Sequence, residues 1–335
     1  MHPYTVHADP SHAGESMRGF RRLTARWSVV IAATALSLYG FGTAVASAAA
    51  APPDGRANYR FTTLDNEREP TFNQLLGIND SGLIAGYFGS GEGEHPNKGY
   101  LLSSPYGQGN YVNENFPHSV QTQVTALNNN GINVGFYADK KGDDFGFADV
   151  AHHGFQTVVF PAKHAKPAVD QLLGVNDDGV AVGFYTDASG VNRGYSYDIL
   201  TRRFHEILVS EETNVTASAI NAEGDVVGFA TNSSNAVEGF LKLTNGHLVK
   251  LNFPGATATQ PLGVNAGDEV VGSYTDTAGM HGFVWTPGFG FQTVDDPDGA
   301  NATTINGVND HGELVGFYTD QAGNTDGLLA TPQEG

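Results

Sequence analysis

One sequence unit recurs six times along this chain and constrains its fold more than any other feature. The sixth copy, GVNDHGELVGFYTD, spans residues 307–320, and every copy carries an Asn followed two or three residues later by Gly. The six asparagines are Asn79, Asn128, Asn176, Asn221, Asn265 and Asn309. They are separated by 49, 48, 45, 44 and 44 residues. A repeat of roughly 40 to 50 residues is typical of propellers and solenoids.

Each repeat contains the pattern of four short strands. The first strand is apolar and ends at the Asn, and a turn such as 176–179 leads to the second strand at Val180–Tyr185. Asn, Asp and Gly favour such tight turns. The third strand begins at a Gly-aromatic pair in five repeats, as at Gly282-Phe283, and a fourth strand follows. No segment beyond the N-terminal region keeps a 3.6-residue apolar period, so we expect almost no helix.

The two ends of the repeat region favour a closed ring. The sixth repeat stops after its third strand, at residues 328–331, whereas residues 59–65 match a fourth strand that has no repeat before it. Pairing these segments would complete the last unit and cover strand edges that otherwise promote aggregation. We therefore predict an all-β fold: a six-bladed β-propeller of four-stranded blades over residues 59–331, closed by the N-terminal strand. Residues 49–58 are a linker and residues 332–335 a tail.

The N-terminal 48 residues have the pattern of an extension followed by a cleaved signal peptide. A basic segment begins at Met17, an apolar stretch follows, and small residues fit A-x-A cleavage sites ending at Ala46 and Ala48. The sequence leaves open whether translation begins at Met1 or at Met17. It also leaves open whether export follows the general or the twin-arginine route. The alternative to a cleaved signal peptide is a transmembrane anchor. We expect cleavage, no stable membrane anchor, and a secreted or periplasmic protein.

Composition narrows the partner classes. The chain has 17 basic and 36 acidic residues, a formal net charge of −19, and no cysteine. Phosphate binding needs clustered Lys and Arg, so nucleic acid is an improbable partner. Disulfides, thiolate metal sites and cysteine nucleophiles are excluded. We expect a monomer whose stability comes from its buried core.

The repeat signature resembles the HAF family of bacterial extracellular repeats. The similarity rests on Gly-apolar-Asn, then Gly, then Val-Gly-x-Tyr-Thr-Asp, then x-Gly-Phe, and covers about residues 59–331. It implies a secreted β-propeller without an established activity. The family's third strand opens with His, and here only His281 keeps it. The equivalent positions hold Lys98, Phe145, Arg193, Glu238 and Asp326.

Polar residues recur five positions before each repeat Asn, at the predicted entrance of the central channel. They are Gln74, Gln123, Gln171, Thr216, Gln260 and Thr304. Together with Lys98, Arg193 and His281 on the same face, they are candidate ligand-binding residues for an extracellular glycan or protein, since binding sites favour places where loops converge. The alternative is that they solvate a water-filled channel.

Four residues at equivalent third-strand positions could also supply an acid, a base and a cation for catalysis. These weak catalytic candidates are Arg193, Glu238, His281 and Asp326. The alternative is that they are unrelated loop residues. We therefore expect a non-enzymatic binding module, and the second hypothesis is a propeller hydrolase or lyase acting on a saccharide or related small molecule.

Metal binding has weak sequence support. Residues 320–327 offer oxygen ligands in Asp320, Asn324 and Asp326, but Ala322 occupies a ligand position of the calcium-loop pattern. No cofactor is predicted, with Ca²⁺ as a low-probability alternative. The acids in the repeated turn are interpreted as turn formers. The position after the Asn varies among Asp80, Asn129, Asp177, Ala222, Ala266 and Asp310.

Overall fold

The computed structural model describes residues 58–151, 153–210 and 212–333. The predicted signal peptide and almost all of the predicted linker lie outside this range. Within it, the chain forms 24 strands and a single 3₁₀ turn at Gln108–Asn110, with no α-helix. The predicted all-β class is confirmed.

The first three repeats form separate four-stranded antiparallel sheets, with strands in sequence order. The first sheet contains β2 (Asn73–Ile78), β3 (Ile84–Phe88), β4 (Lys98–Leu102) and β5 (Tyr111–Asn113). The second contains β6 (Gln121–Leu127), β7 (Ile132–Ala138), β8 (Asp144–Val150) and β9 (Gly154–Val158). The third contains β10 (Asp170–Val175), β11 (Val180–Thr186), β12 (Asn192–Asp198) and β13 (Arg203–Glu206).

The fourth and fifth repeats are joined in one eight-stranded sheet, which differs from the predicted separate blades. The fourth repeat contains β14 (Thr213–Ile220), β15 (Val226–Thr231), β16 (Val237–Lys242) and β17 (Leu248–Leu251). The fifth contains β18 (Ala258–Val264), β19 (Val270–Thr275), β20 (Met280–Thr286) and β21 (Gly290–Thr293). A single parallel pair, Val237 with Ala258, connects β16 to β18.

The sixth repeat combines strands from both ends of the described chain. It contains β22 (Thr303–Val308), β23 (Leu314–Thr319), β24 (Thr325–Gln333) and β1 (Asn58–Thr63). β1 pairs antiparallel with β24, and Phe61 lies opposite Ala330. β24 therefore extends two residues into the segment predicted as a tail.

The repeated Asn links each inner strand to the next repeat. Asn176 Oδ1 accepts a hydrogen bond from the backbone N–H of Val180 at 3.0 Å, which closes its own turn. Its Nδ2 donates to the carbonyl oxygen of Asn221, the equivalent residue of the next repeat, at 3.0 Å. The same Nδ2-to-carbonyl bond joins Asn79 to Asn128, Asn128 to Asn176, Asn221 to Asn265, Asn265 to Asn309 and Asn309 to Asn79, at 2.9 to 3.3 Å.

The turn after the Asn requires a left-handed backbone. Gly179 supplies it in the third repeat with φ 76°, a conformation that costs Gly little. In the fifth repeat Gly267 comes one residue earlier, and Asp268 takes the left-handed position with φ 56°. The Asp268 side chain accepts a hydrogen bond from Asn221 Nδ2 at 2.9 Å. Asn and Asp tolerate this conformation better than most residues, which explains why the fifth turn keeps its shape.

The glycine in the second strand allows close approach of the first strand. A Cβ at Gly183 would lie 1.9 Å from the carbonyl oxygen of Gln171 on β10. The equivalent glycines in the other repeats meet the same obstruction at 2.0 to 2.3 Å; they are Gly86, Gly135, Gly228, Gly272 and Gly316. The glycine of the Val-Gly-x-Tyr pattern is therefore required by packing, because a side chain there would clash with the first strand.

Each inner strand carries a β-bulge three residues before its Asn. The register against the second strand shifts there in all six repeats. The bulge residues alternate between leucine and polar side chains: Leu76, Thr125, Leu173, Ser218, Leu262 and Asn306. Asn306 is buried, and neither side-chain amide atom has a hydrogen-bond partner among the described residues.

We predict that Asn176→Asp destabilises the fold, because it keeps the acceptor of the turn but replaces the donor to Asn221 by a second oxygen. Losing a buried hydrogen bond and leaving an acceptor unpaired costs about 1–3 kcal/mol. Urea unfolding of the variant against the parent measures the loss. Asp178→Asn, at an exposed position of the same turn, is the control. An Asn176→Asp midpoint equal to the control's would contradict this role.

Candidate functional site

The polar ring predicted at the channel entrance is largely buried. Gln74, Gln123, Gln171, Thr216 and Thr304 are each at most 4% exposed, and Gln260 is half-buried. Gln74 Oε1 accepts a hydrogen bond from the Tyr87 hydroxyl at 2.8 Å within its own sheet. The ring thus presents little polar surface to a ligand.

Three ring residues contact the preceding repeat, each at the residue two positions before the glycine of its third strand. Gln123 Nε2 donates to Asn97 Oδ1 at 2.9 Å. Gln171 Nε2 donates to Asp144 Oδ2 at 3.4 Å, and the Thr304 hydroxyl contacts Met280 Sδ at 3.3 Å. These contacts join successive repeats, so part of the ring serves packing between repeats.

The pKa of Asp144 is raised to about 7, chiefly by burial and in smaller part by the neighbouring carboxylates Asp143 and Asp139, while the hydrogen bond from Gln171 lowers it. The equivalent residue of the first repeat, Asn97, makes the same kind of bond without a charge. The same contact is therefore made by an ionisable side chain in the second repeat, Asp144, and by a neutral one in the first repeat, Asn97.

Two small cavities lie between the inner strands. Two cavities of about 100 and 80 Å³ are lined by residues of all six inner strands. Both are bordered by the same apolar residues: Ile78, Leu127, Val175, Ile220, Val264 and Val308. Cavities that hold small-molecule ligands are usually about 300–1,000 Å³. Both cavities are smaller than this range.

A larger cavity of about 380 Å³ lies between the third and fourth repeats. Its walls come from the loop between β11 and β12, the start of β12, and the connection from β13 to β14. The polar lining residues are Asp187, Asn192, Arg193, Glu206, Glu212, Thr213 and Asn214, and the apolar ones include Ile207, Leu208, Val209 and Val215. Loops between second and third strands and connections between repeats form this end of the sheets.

Arg193 is the one sequence-predicted site residue among those lining this cavity. Its Nε donates to Asp187 Oδ2 at 3.0 Å. The two Nη groups have no hydrogen bond to the residues that the structure describes, and the side chain is 48% exposed. The fork of the guanidinium is therefore available to a ligand acceptor.

Glu212 is a second charged group in the lining. Its side chain is 6% exposed, and Oε1 accepts a hydrogen bond from Lys250 Nζ at 3.2 Å. The other oxygen, Oε2, is buried without a partner among the described residues. Buried charged oxygens are normally paired, so this atom is a strong candidate for contact with a ligand.

The other catalytic candidates lie in different repeats and have partners of their own. Glu238 binds Lys250 at 2.7 Å and Asn232 at 2.7 Å, and these contacts lower its pKa. His281 Nδ1 lies 2.7 Å from Asp295 Oδ2. No hydrogen bond or ion pair within the described ranges joins any two of Arg193, Glu238, His281 and Asp326. Arg193 is their sole member lining the 380 Å³ cavity.

The remaining predicted residues have local roles. Lys98 begins β4, at the position equivalent to Arg193.

The candidate metal ligands are bound within their own loop. Asp320 Oδ1 accepts hydrogen bonds from the backbone N–H groups of Ala322 and Asn324, each at 2.8 Å, and Oδ2 accepts one from Asn324 Nδ2 at 3.0 Å. Burial raises the pKa of Asp326 to about 6, with Asp65 and Asp320 adding to the shift. Among the residues that the structure describes, no group of three or more His, Asp or Glu is arranged to hold a metal ion.

Sequence reasoning missed Glu206, Glu212 and the apolar wall at 207–209. Glu206 is the last residue of β13. Glu212 and residues 207–209 lie in the connection between repeats, which the repeated pattern does not include. The sequence therefore carried no signal for them beyond the Glu211-Glu212 pair.

No protein-family model matches the chain, and no curated protein matches it. Among solved structures, it is similar to a streptogramin B lyase (TM-score 0.51, 10% identity, 82% of this chain and 98% of that one). It is also similar to the SapL1 lectin in complex with alpha methyl fucoside (0.52, 10%, 79% and 93%). A third is a protein assigned as TolB from Agrobacterium tumefaciens (0.54, 12%, 79% and 92%). At these identities the similarity establishes a β-propeller fold alone.

In the part of the chain described, no helix has the length and apolar character needed to cross a membrane.

We predict that Asp144→Asn flattens the pH dependence of stability. A folded-state pKa above the unfolded value means that stability is fully present below about pH 4 and is lost as the pH rises through about 7. The variant and the parent should therefore unfold alike at pH 4, and the variant should be more stable at pH 8. Thermal unfolding across this range measures the difference. Asn97→Asp is the matched reverse change and should introduce the same loss. Parallel stability curves for parent and Asp144→Asn would contradict the assignment.

Proposed function

We propose that this chain is a secreted, non-enzymatic β-propeller that binds a hydroxyl-rich extracellular glycan in the cavity between its third and fourth repeats. The proposal includes a closed ring of six four-stranded blades and membership of the HAF-type extracellular repeats. The observation that carries the proposal is a cavity lined both by Glu212, whose buried Oε2 has no partner among the described residues, and by Arg193, whose two Nη groups have no hydrogen bond to them.

Two contacts between the chain ends support closure into six blades. β1 supplies the fourth strand beside β24, and Asn309 Nδ2 donates to the carbonyl oxygen of Asn79 at 3.2 Å. The eight-stranded sheet is compatible with two blades, because only the Val237–Ala258 pair joins its halves. In the proposed ring, every inner strand has a neighbour on both sides.

The chemistry of the cavity suits a glycan. A sugar hydroxyl both donates and accepts hydrogen bonds, so it can donate to Glu212 Oε2 and accept from Arg193. Leu208, which is 69% exposed, and Val209 offer an apolar wall for the C–H face of a sugar ring. A buried acceptor without a partner costs about 1–3 kcal/mol, more when it is charged, and a ligand hydroxyl would remove that cost.

The four catalytic candidates predicted from the sequence do not meet in one cavity, and this argues against the catalytic set built from them. Similar folds include both a lyase and a lectin solved with a fucoside, so the fold does not separate the two hypotheses. Catalysis needs an acid, a base and a nucleophile or electrophile converging on one cavity. Arg193 alone of the four candidates borders the 380 Å³ cavity, whereas Glu238 is held by Lys250 and His281 by Asp295.

A glycan array with matched variants tests the proposal. Arg193→Ala should weaken binding about tenfold or more, because a charge-assisted hydrogen bond contributes about 1.5–3 kcal/mol. Lys98→Ala removes the same charge at the equivalent strand position of the first repeat, outside the cavity, and should bind like the parent. Calorimetry on the best array hit measures both affinities.

Absence of any glycan binding, or equal losses in both variants, would contradict the proposal. Cleavage of a bound saccharide by the parent, detected by mass spectrometry of the array hit after incubation, would favour the hydrolase or lyase hypothesis.

A further inference from the structure

The charges around the cavity point to a narrower ligand class. We propose that the site prefers a saccharide bearing a free, positively charged amine over the same saccharide with that amine acylated. This inference rests on the proposed function and specifies its ligand.

The charged groups lining the cavity are predominantly acidic. Among the described residues of the lining, Arg193 is the single basic one, and it is paired with Asp187 at 3.0 Å. Glu206 and Glu212 are the two further carboxylates. An anionic ligand would meet both of them, while the guanidinium is already partly neutralised by Asp187. Carboxylates in excess of cations favour a ligand that brings its own positive charge.

Lys250 does not fully neutralise Glu212. Its ammonium lies 3.2 Å from Glu212 Oε1 and 2.7 Å from Glu238 Oε2, so one cation serves two carboxylates. The lysine side chain is 58% exposed, whereas that of Glu212 is 6% exposed. Solvent therefore screens the lysine more than the glutamate. The group formed by Glu212, Glu238 and Lys250 therefore keeps one unit of negative charge. The unpaired Glu212 Oε2 is the buried part of that charge.

An ammonium group matches this acceptor better than a hydroxyl does. It carries three donors and a full charge, and a charged hydrogen bond to a buried carboxylate is stronger than a neutral one. An N-acyl group at the same position offers a single N–H donor and no charge, and it adds bulk. The remaining hydroxyls of either saccharide can still contact Arg193 and Asn214. The cavity should therefore bind the free-amine saccharide more tightly than the N-acylated one, although the rest of the two sugars is the same.

The test compares oligomers of glucosamine with oligomers of N-acetylglucosamine of equal length, which differ at the amine. Calorimetry at pH 6 should give the free-amine oligomers an affinity at least about tenfold higher. That advantage should shrink as salt is raised, because charge attraction is screened. Glu212→Gln should abolish the preference.

Two further variants make the result specific to the cavity. Glu223→Gln removes the same charge at an exposed position in the Asn turn of the fourth repeat, away from the cavity, and should leave the preference intact. Glu206→Gln, at an exposed position of the lining, should reduce it and provides a second test if Glu212→Gln does not fold.

The outcomes separate this inference from the proposed function. Equal affinity for the two oligomers, or binding only of other neutral glycans, would overturn the inference and leave the glycan-binding proposal standing. Equal loss of preference in the Glu212 and Glu223 variants would show general attraction to an acidic surface and would also overturn it. Failure to bind any glycan would overturn both.

Discussion

The hydrogen bond from each repeat Asn to the next is the interaction on which the rest of the structure depends. One carboxamide does two things: its oxygen closes the turn of its own repeat, and its nitrogen binds the next repeat's main chain. Asn176 makes these bonds at 3.0 Å in both directions. Aspartate lacks the donor and glutamine is a methylene longer, so asparagine is the residue whose length and chemistry fit both partners.

The candidate site lies away from the repeated Asn turns. These turns and the apolar residues beside them line the two small cavities between the inner strands, and Gln123 joins the first and second repeats through Asn97. The 380 Å³ cavity lies between the third and fourth repeats and is lined by Ile207, Leu208, Val209 and Glu212 of the connection. Two lysines of the fourth repeat bind this connection, since Lys242 Nζ donates to the carbonyl oxygen of Leu208 at 3.0 Å and Lys250 binds Glu212. The repeated strands thus carry a candidate site whose residues lie partly outside the repeat.

The sequence predicted what the repeat encodes and missed what it does not. The strand order, the Asn turn and the pairing of the segment near Phe61 with the C-terminal strand all follow from the repeated pattern. The burial of Gln171 could not be predicted, because it depends on how close Gln171 comes to Asp144 in the adjacent repeat. Glu212 was missed because a residue in a unique connection has no equivalent with which to compare it. Arg193, which lines the cavity, could be named as a candidate from the sequence, since it occupies a repeated position and departs from its equivalents.

Closure of the ring is the central claim, and a cross-link between the chain ends tests it most directly. The protein has no cysteine, so Arg60→Cys and Thr331→Cys, at facing positions of β1 and β24, introduce the sole thiol pair. A closed ring should form this disulfide rapidly within one chain under mild oxidation, seen by peptide mass spectrometry, with a raised unfolding temperature. Arg60→Cys with Ser189→Cys, on the third repeat, should not cross-link within one chain. Free thiols or only intermolecular dimers in the Arg60 and Thr331 variant would contradict closure.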